Sequence, residues 1–216
     1  MLTAPNQVES LVNLFHQGTK LSYVKGEFII RPGGTPSGVL YIKSGLVKAY
    51  DITKYGEENL LIIRKSGELL GLTWAITGEN RHIIYAALAP TIVYQISREQ
   101  FTDYIRVNPK AALPLLDMLV DMYRLHSERI MNLEYRTVRE RLVSFLLTTA
   151  KRFGKKTTEG LLIDVPLRQQ DIASSISATR ETTGRELSTL ERQGLLTTQN
   201  SCILLIDSKR LRHYLE

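Results

Sequence analysis

The side chains best suited to recognising a polymeric ligand lie together between Thr179 and Arg185. Arg180, Glu181 and Arg185 fall on neighbouring turns of a predicted helix, so they share one face of it. An arginine guanidinium matches the two acceptors on the edge of guanine, and a carboxylate accepts a hydrogen bond from the cytosine amino group. The pattern predicts that this helix reads DNA bases in the major groove.

Side chains able to hold a phosphate backbone surround that face. Hydroxyl and amide groups donate hydrogen bonds to phosphate oxygens, and arginine adds positive charge, so such residues fix orientation without reading sequence. The alternative is a surface helix whose charges only keep it solvated, and the elements around the helix argue against that alternative. The residues assigned to backbone contact are Thr179, Thr182, Gln170 and Arg168.

Those elements predict a winged helix-turn-helix over residues 138–216. Ala173 is small where two helices must cross, and Ser177 and Ala178 supply a tight turn between them. Thr179 is a good N-cap for the second helix, and Gly194 suits its end. The remaining predicted parts are a helix over 138–153 ended by Gly154, a strand over 161–163, a hairpin of strands 195–198 and 203–206, and the core residues Ile172, Ile176 and Leu187.

Residues 109–137 predict one long helix that pairs with a second copy of the chain. Pro109 suits a first helical turn. Two rows of mostly apolar residues then repeat every seven positions, which is typical of a two-chain coiled coil. A helix packed on its own domain shows a similar stripe, but the narrow seam favours the coiled coil. At His126 the polar side chain is interpreted as fixing the helix register rather than as a pH-sensitive contact. The predicted dimer seam consists of Leu116, Leu119, Tyr123, His126, Ile130 and Leu133.

Residues 1–108 predict a β-rich domain. Short apolar or alternating runs are separated by turn residues, and five glycines, from Gly34 to Gly78, lie eleven residues apart. Turn signals at this spacing are typical of a β-sandwich or barrel. We therefore expect an α+β protein with an N-terminal jelly-roll β-barrel, a long dimerisation helix and a C-terminal winged helix-turn-helix.

The charge distribution favours an anionic partner. The chain has 216 residues and a formal net charge of +6. From Val138 onward it holds 13 Lys and Arg against 9 Asp and Glu, whereas the rest holds 15 against 13. Because the positive excess per residue is larger in the segment with the predicted DNA-reading helix, double-stranded DNA fits as the partner.

Several other classes of protein are disfavoured. No run approaches the ~20 apolar residues that a membrane span needs, and the N-terminus lacks the pattern of a signal peptide. The single cysteine, Cys202, cannot form an internal disulfide or hold zinc or an iron–sulfur cluster alone. We find no phosphate-cradling glycine loop, metal-spaced His/Cys set or nucleophile–base motif. The expectation is a reduced, intracellular protein that is not an enzyme, with no catalytic residues, metal site or membrane partner.

The stretch from Thr179 to Arg185, TRETTGR, resembles the recognition-helix signature of the Crp/Fnr family. The order of β-domain, long helix and winged domain matches that family along nearly the whole chain. Residues 141–147 and the loop 76–78 leading to Tyr85 are similar to the NtcA-type nitrogen-control regulators of cyanobacteria and their red-algal plastid relatives. The resemblance implies a cyclic-nucleotide-binding-like sensor, a homodimer on a palindromic promoter site, RNA polymerase as a partner, and the bacterial cytoplasm or plastid stroma as its location.

The same resemblance implies an effector site at Gly71, Leu72, Arg81 and Tyr85. Cyclic-nucleotide members carry a glutamate where this chain has Leu72, so cAMP is disfavoured. The nitrogen regulators bind 2-oxoglutarate with an arginine that is replaced here by Ile83, although Arg81 lies on the same strand face, and Met122 stands where a second arginine is expected. A 2-oxoglutarate sensor and a regulator without an effector both remain open, whereas haem is disfavoured by four scattered histidines.

Two classes of function follow from these patterns. The favoured one is a DNA-binding transcription regulator, and the alternative is a ligand-sensing module whose C-terminal domain binds a protein. Glu181 makes the predicted recognition helix resemble the cAMP-receptor type, which implies a GTGA-like half-site rather than a shorter GTA-type one. Selection of a palindrome from random DNA duplexes distinguishes the two classes.

Overall fold

The computed structural model describes residues 5–80, 82–199 and 201–216, and the chain divides into two compact units. The first unit extends to Asp51 and resumes over Ile62–His126, whereas the second comprises Ile52–Leu61 and Ser127–Glu216. A short segment from the N-terminal half is therefore part of the C-terminal unit. The predicted domain boundaries at residues 108 and 137 stay predictions.

In the described part of the N-terminal half, eight strands form two four-stranded sheets, ordered β1-β8-β3-β6 and β2-β7-β4-β5. Their inward faces share an apolar cluster that includes Ile42, Val47 and Val93. The expectation of a closed barrel is wrong in this respect, because the strands remain two layers of a jelly-roll type. The strands are β1 Thr19–Tyr23, β2 Phe28–Ile30, β3 Val39–Ser44, β4 Leu46–Ile52, β5 Glu58–Lys65, β6 Leu69–Leu70, β7 Ile84–Ala87 and β8 Thr91–Ile96.

Among the described residues, these strands are accompanied by the helices α1 Pro5–His16, α2 Leu72–Thr77 and α3 Arg98–Val107. Phe15 of α1 and Phe101 of α3 are buried with ring centroids 6.3 Å apart, and both belong to an apolar cluster with Val39 and Ile96. Helix α3 begins with a complete capping box between Ser97 and Gln100. Neither α1 nor α3 was predicted from the sequence.

The glycine spacing has a partial structural basis. Of the five regularly spaced glycines, Gly45, Gly56, Gly67 and Gly78 have positive φ, and Gly34 does not. The requirement is strongest at Gly45, where φ is 98° and a Cβ atom would lie 2.4 Å from Thr91 Oγ1. Glycine there permits the close turn from β3 into β4.

A long helix, α4, follows the sheets over Ala112–Tyr135. It begins three residues later than predicted, because Pro109–Ala111 forms a separate 3-10 turn. Leu115 is buried in the core of the first unit, while most of the predicted seam residues face solvent. The helix therefore has one apolar side that its own chain leaves uncovered.

The second unit contains several helices and a small sheet ordered β11-β12-β10-β9. Helix α5, Val138–Phe153, has the predicted limits, with Thr137 as its N-cap and Gly154 as its C-cap. Buried Leu142, Leu146 and Ile163 contribute to the core. The other elements are β9 Gly154–Lys156, β10 Leu161–Ile163, α6 Gln169–Ser175, α7 Arg180–Arg192, β11 Leu196–Gln199, β12 Cys202–Leu205 and α8 Ser208–Arg212.

Candidate nucleic-acid interface

Helices α6 and α7 pack together and form a helix-turn-helix. Ala173 of α6 is fully buried, and the Ala178 N–H donates to the Ala173 carbonyl at 3.0 Å, which closes the turn. Ser177 has φ of 50° inside that turn, an uncommon value for a residue with a side chain. The predicted turn is confirmed, and Ala173 is buried, as the predicted crossing requires.

Thr179 begins the second helix of the motif. Its hydroxyl accepts a hydrogen bond from the Thr182 N–H at 3.1 Å, as predicted for an N-cap. The predicted core residues are buried and hold one side of the motif inward: Ile172, Ile176 and Leu187. The opposite face of α7 is consequently turned to solvent.

That exposed face carries the predicted base-reading residues Arg180, Glu181 and Arg185. The Glu181 and Arg185 side chains are 86% and 81% exposed, with 4.0 Å between carboxylate and guanidinium. Water screens so exposed a pair, so it contributes little stability and leaves both groups able to contact a partner. The face offers two cations and one anion within two helical turns.

A partly buried ion pair, which sequence reasoning missed, fixes α7 to α5. Arg139 Nε donates to Glu186 Oε2 at 2.6 Å, and this hydrogen bond and charge raise the pKa of Arg139 above its ordinary value. Since Glu186 follows Arg185 directly, the pair helps to determine the rotation of the exposed face. The partners are 47 positions apart and no spacing rule connects them, so the sequence carried no signal for this contact.

The predicted phosphate-contacting residues occupy two kinds of environment. Three of them lie at the starts of the two helices: Gln170, Thr179 and Thr182. Arg168 instead donates to Asp171 and to Glu58, and its hydrogen bonds to Asp171 raise the pKa of its guanidinium. Arg168 is therefore engaged with carboxylates in this structure.

The hairpin of β11 and β12 forms the predicted wing beside α7. Glu191 near the end of α7 accepts hydrogen bonds from Thr197 Oγ1 at 3.1 Å and from the Thr198 N–H at 3.2 Å. These bonds attach the first wing strand to the helix. Of the predicted turn residues, Asn200 lies outside the described residues, and Ser201 has φ of 64°.

The residues of the expected effector site lie in the first unit. Gly71 has φ of 77° at the start of α2, and a Cβ atom there would lie 2.9 Å from the Gly38 carbonyl oxygen. Leu72 is buried in the cluster around α1, whereas Tyr85 of β7 packs on the cluster between the two sheets. Arg81 lies outside the described residues.

The sequence did not point to two basic side chains of the first unit, Lys48 and Arg64. Lys48 of β4 is buried with its ammonium 4.3 Å from the centre of the Tyr50 ring. Arg64 of β5 contacts the Met122 sulfur, lies 3.5 Å from Glu68, and has a buried Nε without a hydrogen-bond partner among the described residues. A guanidinium thus lies beside Met122, the position where an arginine on α4 was expected.

The predicted dimer seam runs along the uncovered side of α4. Leu119, Tyr123 and Ile130 are 43%, 75% and 62% exposed. Leu116 and His126 are also exposed, while Leu133 is half-buried. An apolar row of this kind on a solvent-facing helix is typical of a surface that binds a partner.

Both halves of the chain match known protein families. Residues 140–214 match the Crp-like helix-turn-helix domain, and residues 20–108 match the cyclic nucleotide-binding domain. Together these two family models cover about three quarters of the chain. The chain belongs to the Crp/Fnr family. This regulator combines a domain type that indicates ligand sensing with a DNA-binding domain, and its relatives are transcription regulators.

Individual relatives span nearly the same length as this regulator. It is 28% identical over 199 residues to the global nitrogen regulator of a Nostoc species, covering 88% of this chain and 89% of the relative. It is 24% identical over 206 residues to electron transport regulator A of Shewanella oneidensis, covering 95% and 81%. A solved structure of a CooA mutant from Carboxydothermus hydrogenoformans shares the fold, with a TM-score of 0.80, 23% identity and coverage of 100% and 98%.

These findings confirm the prediction of a DNA-binding transcription regulator of the Crp/Fnr type. They also confirm the predicted fold class, apart from the closure of the barrel. Within the described ranges, no helix combines the length and the apolar character that a membrane span requires. The roles of individual residues stay predictions.

Proposed function

We propose that this Crp/Fnr regulator acts as a homodimer on a palindromic promoter site and that α7 of each copy reads one half-site. The observation that carries the proposal is the solvent-facing row of Arg180, Glu181 and Arg185 on a helix capped by Thr179. In this arrangement the two arginines contact guanine edges and the glutamate contacts a cytosine amino group. Thr179, Thr182 and Gln170 hold phosphates, and they orient the helix in the groove.

The uncovered side of α4 supports the homodimer. Leu116, Leu119 and Tyr123 continue along the helix to Ile130, and all four are exposed in the single chain. Pairing with a second copy removes this apolar surface from water, which stabilises the dimer by about 25 cal/mol for each Å² buried. His126, in the same row, faces its counterpart, and there a polar residue specifies register. Sedimentation of the purified protein in the low micromolar range tests this directly: a dimer is expected, and a monomer contradicts it.

Selection from random duplexes tests the DNA assignment. We expect a palindrome with GTGA-like half-sites whose centres lie ~34 Å apart, one helical turn of DNA. Arg180→Ala and Arg185→Ala should each lose about 1–3 kcal/mol of binding free energy and relax preference at one base position. Arg192→Ala is the matched control, because Arg192 lies in the last turn of the same helix and donates to the Ser188 carbonyl at 3.4 Å.

The control variant should bind the selected site like the wild-type protein, and all three variants should unfold at the wild-type temperature. If Arg180→Ala and Arg185→Ala bind the site normally, the base-reading assignment is wrong. If no duplex is enriched from the pool, the alternative of a protein-binding C-terminal domain gains support instead.

We further propose that the sensor domain responds to an anionic metabolite, with 2-oxoglutarate as the leading candidate. The regulator is 28–29% identical to global nitrogen regulators of three cyanobacteria, which supports nitrogen control. The Arg64 guanidinium, 3.5 Å from Glu68, lies beside Met122, the position where the family resemblance places an arginine. Leu72 lacks the carboxylate that binds ribose, so cAMP is disfavoured.

A thermal-shift screen with 2-oxoglutarate, cAMP and buffer alone tests the effector. A ligand present at a hundred times its Kd stabilises the folded state by ~2.7 kcal/mol, which raises the unfolding temperature measurably. Stabilisation by 2-oxoglutarate and not by cAMP is the expected result. Stabilisation by neither favours a regulator without an effector.

The remaining assignments complete the proposal. Residues 1–108 sense, 109–137 dimerise and 138–216 bind DNA. The regulator contacts RNA polymerase at its promoter, catalyses no reaction, and works in a bacterial cytoplasm or a plastid stroma. Co-sedimentation of RNA polymerase with the regulator on a promoter duplex tests the polymerase contact.

A further inference from the structure

The tip of the hairpin between β4 and β5 is built into the DNA-binding unit. Residues 52–61 belong to the second unit, although both strands of the hairpin continue into the first along the chain. The Leu60 N–H donates to Ser174 Oγ of α6 at 3.2 Å. Arg129 of α4 donates to Asn59 Oδ1 at 3.1 Å and to the Leu61 carbonyl at 3.4 Å. The tip is thus held by both backbone and side-chain contacts.

This tip brings a carboxylate to Arg168, which precedes α6. Arg168 Nη2 donates to Glu58 Oε2 at 3.0 Å and to Asp171 Oδ1 at 2.9 Å. Arg168 Nε donates to Asp171 Oδ2 at 3.0 Å. Because a guanidinium Nη carries two protons, both protons of Nη2 are in use. Arg168 Nη1 has no protein partner in the described part of the chain, and the side chain is 63% exposed.

The two carboxylates differ in how firmly they are attached. Asp171 is buried and also accepts a hydrogen bond from the Arg168 backbone N–H at 3.0 Å, so it is part of the start of α6. The Glu58 side chain is 36% exposed and is carried by the hairpin tip, 110 positions away in sequence. Asp171 therefore orients Arg168, whereas Glu58 is the partner that another anion can displace.

We propose that Glu58 competes with the DNA phosphate backbone for Arg168, so that the hairpin tip lowers the affinity of the regulator for DNA. The inference rests on the proposed function, in which Gln170 at the start of α6 holds a DNA phosphate, as the first helix of a helix-turn-helix does when it crosses the backbone. Arginine binds phosphate best with two parallel N–H donors, and Glu58 occupies a proton of one of them. While Glu58 is bound, two carboxylates share the guanidinium of Arg168, and this disfavours a phosphate at the same donors. A phosphate that displaces Glu58 gains the second donor.

The test compares two charge-neutral substitutions on the same hairpin, Glu58→Gln and Glu57→Gln. Glu57 is exposed, and its side chain makes no hydrogen bond or ion pair within the described ranges, so its variant changes net charge without releasing Arg168. Each protein is titrated with a fluorescent duplex selected from random DNA, at several salt concentrations. Unfolding in urea shows that the variants are folded.

Glu58→Gln should bind the duplex about threefold more tightly per subunit, and roughly tenfold for a dimer, because the phosphate no longer has to displace Glu58 from an exposed ion pair of modest strength with Arg168. The slope of log affinity against log salt should steepen by about one per subunit, since Arg168 then neutralises one more phosphate. Glu57→Gln should stay near the wild-type values. In an Arg168→Gln background the gain from Glu58→Gln should disappear, as a coupled pair requires.

Three results would overturn the inference while the proposed function stands. They are equal affinity of the two glutamate variants, weaker binding by Glu58→Gln, and a gain that persists without Arg168. Weaker binding would mean that Glu58 orients Arg168 for its phosphate. If the wild-type protein enriches no duplex, the proposed function and this inference fail together.

Discussion

Thr183 offers a direct test of how the recognition helix is seated. It lies on the core side of α7 with 0% exposure, and its Oγ1 has no hydrogen-bond partner in the described part of the chain. A buried hydroxyl that has lost its water without gaining a partner destabilises the folded state. Thr183→Val replaces that hydroxyl with a methyl group of similar shape.

The expected gain can be estimated from two contributions. An unpartnered buried hydroxyl costs about 1–3 kcal/mol in protein mutational data. Threonine and valine have similar helix propensities, so that contribution nearly cancels. Small differences in packing reduce the gain, and we expect the free energy of unfolding of the second unit to rise by about 1–2 kcal/mol.

Urea unfolding followed by circular dichroism measures this change. With a slope of about 2 kcal/mol per molar urea, the midpoint should rise by roughly 0.5–1 M at unchanged slope. Thr189→Val on the same helix is the matched control, because its hydroxyl donates to the Arg185 carbonyl at 2.9 Å and its loss should be neutral or slightly destabilising. A Thr183→Val protein no more stable than wild type would refute the reasoning and indicate that an ordered water satisfies the hydroxyl.

Three further predictions concern other parts of the chain. Tyr123→Glu should convert the dimer to monomer in sedimentation, because it places two like charges at the seam; a stable dimer would contradict that seam. Glu140→Gln should lower the free energy of unfolding most at neutral pH, because hydrogen bonds from Thr137 lower the pKa of Glu140 in the folded state. The ionised carboxylate therefore contributes its full stability above the ordinary pKa of 4.5. That contribution is lost as the pH falls through the lower folded-state pKa. A difference from wild type that stays constant in a pH series of urea titrations would exclude this. Gly184→Ala should raise the free energy of unfolding by about 1 kcal/mol, because alanine favours the helix more than glycine does and its Cβ would lie 3.5 Å from the Gln169 side chain, an ordinary contact distance. Urea unfolding measures this gain. Loss of DNA affinity in the same variant would show that the glycine is needed for close approach to the groove.

The parts of the fold that follow local rules were predictable from sequence. Helix α5 has the expected limits because a threonine cap, an amphipathic repeat and a terminal glycine all act within one segment. The turn after Ala173 was predictable for the same reason. By contrast, α1 and α3 were missed, because their apolar residues, such as Phe15 and Phe101, become buried only where they meet each other and the first sheet.

The candidate site divides in the same way. Thr179 as a cap and the row of Arg180, Glu181 and Arg185 follow from helical spacing, and the structure turns that row to solvent. Closure of the barrel could not be decided from alternating strands, since alternation shows which face is buried and not which edges pair.

The sequence by itself determined that this chain has a winged helix-turn-helix, a long helix and a β-rich domain, because capping, turns and periodicity involve residues within a few positions of one another. Only the tertiary structure decided that Arg139 anchors Glu186 and that Glu58 reaches Arg168, pairs that lie 47 and 110 positions apart. Opposite charges attract only when the fold brings them within a few ångströms, and linear spacing contains no information about that distance.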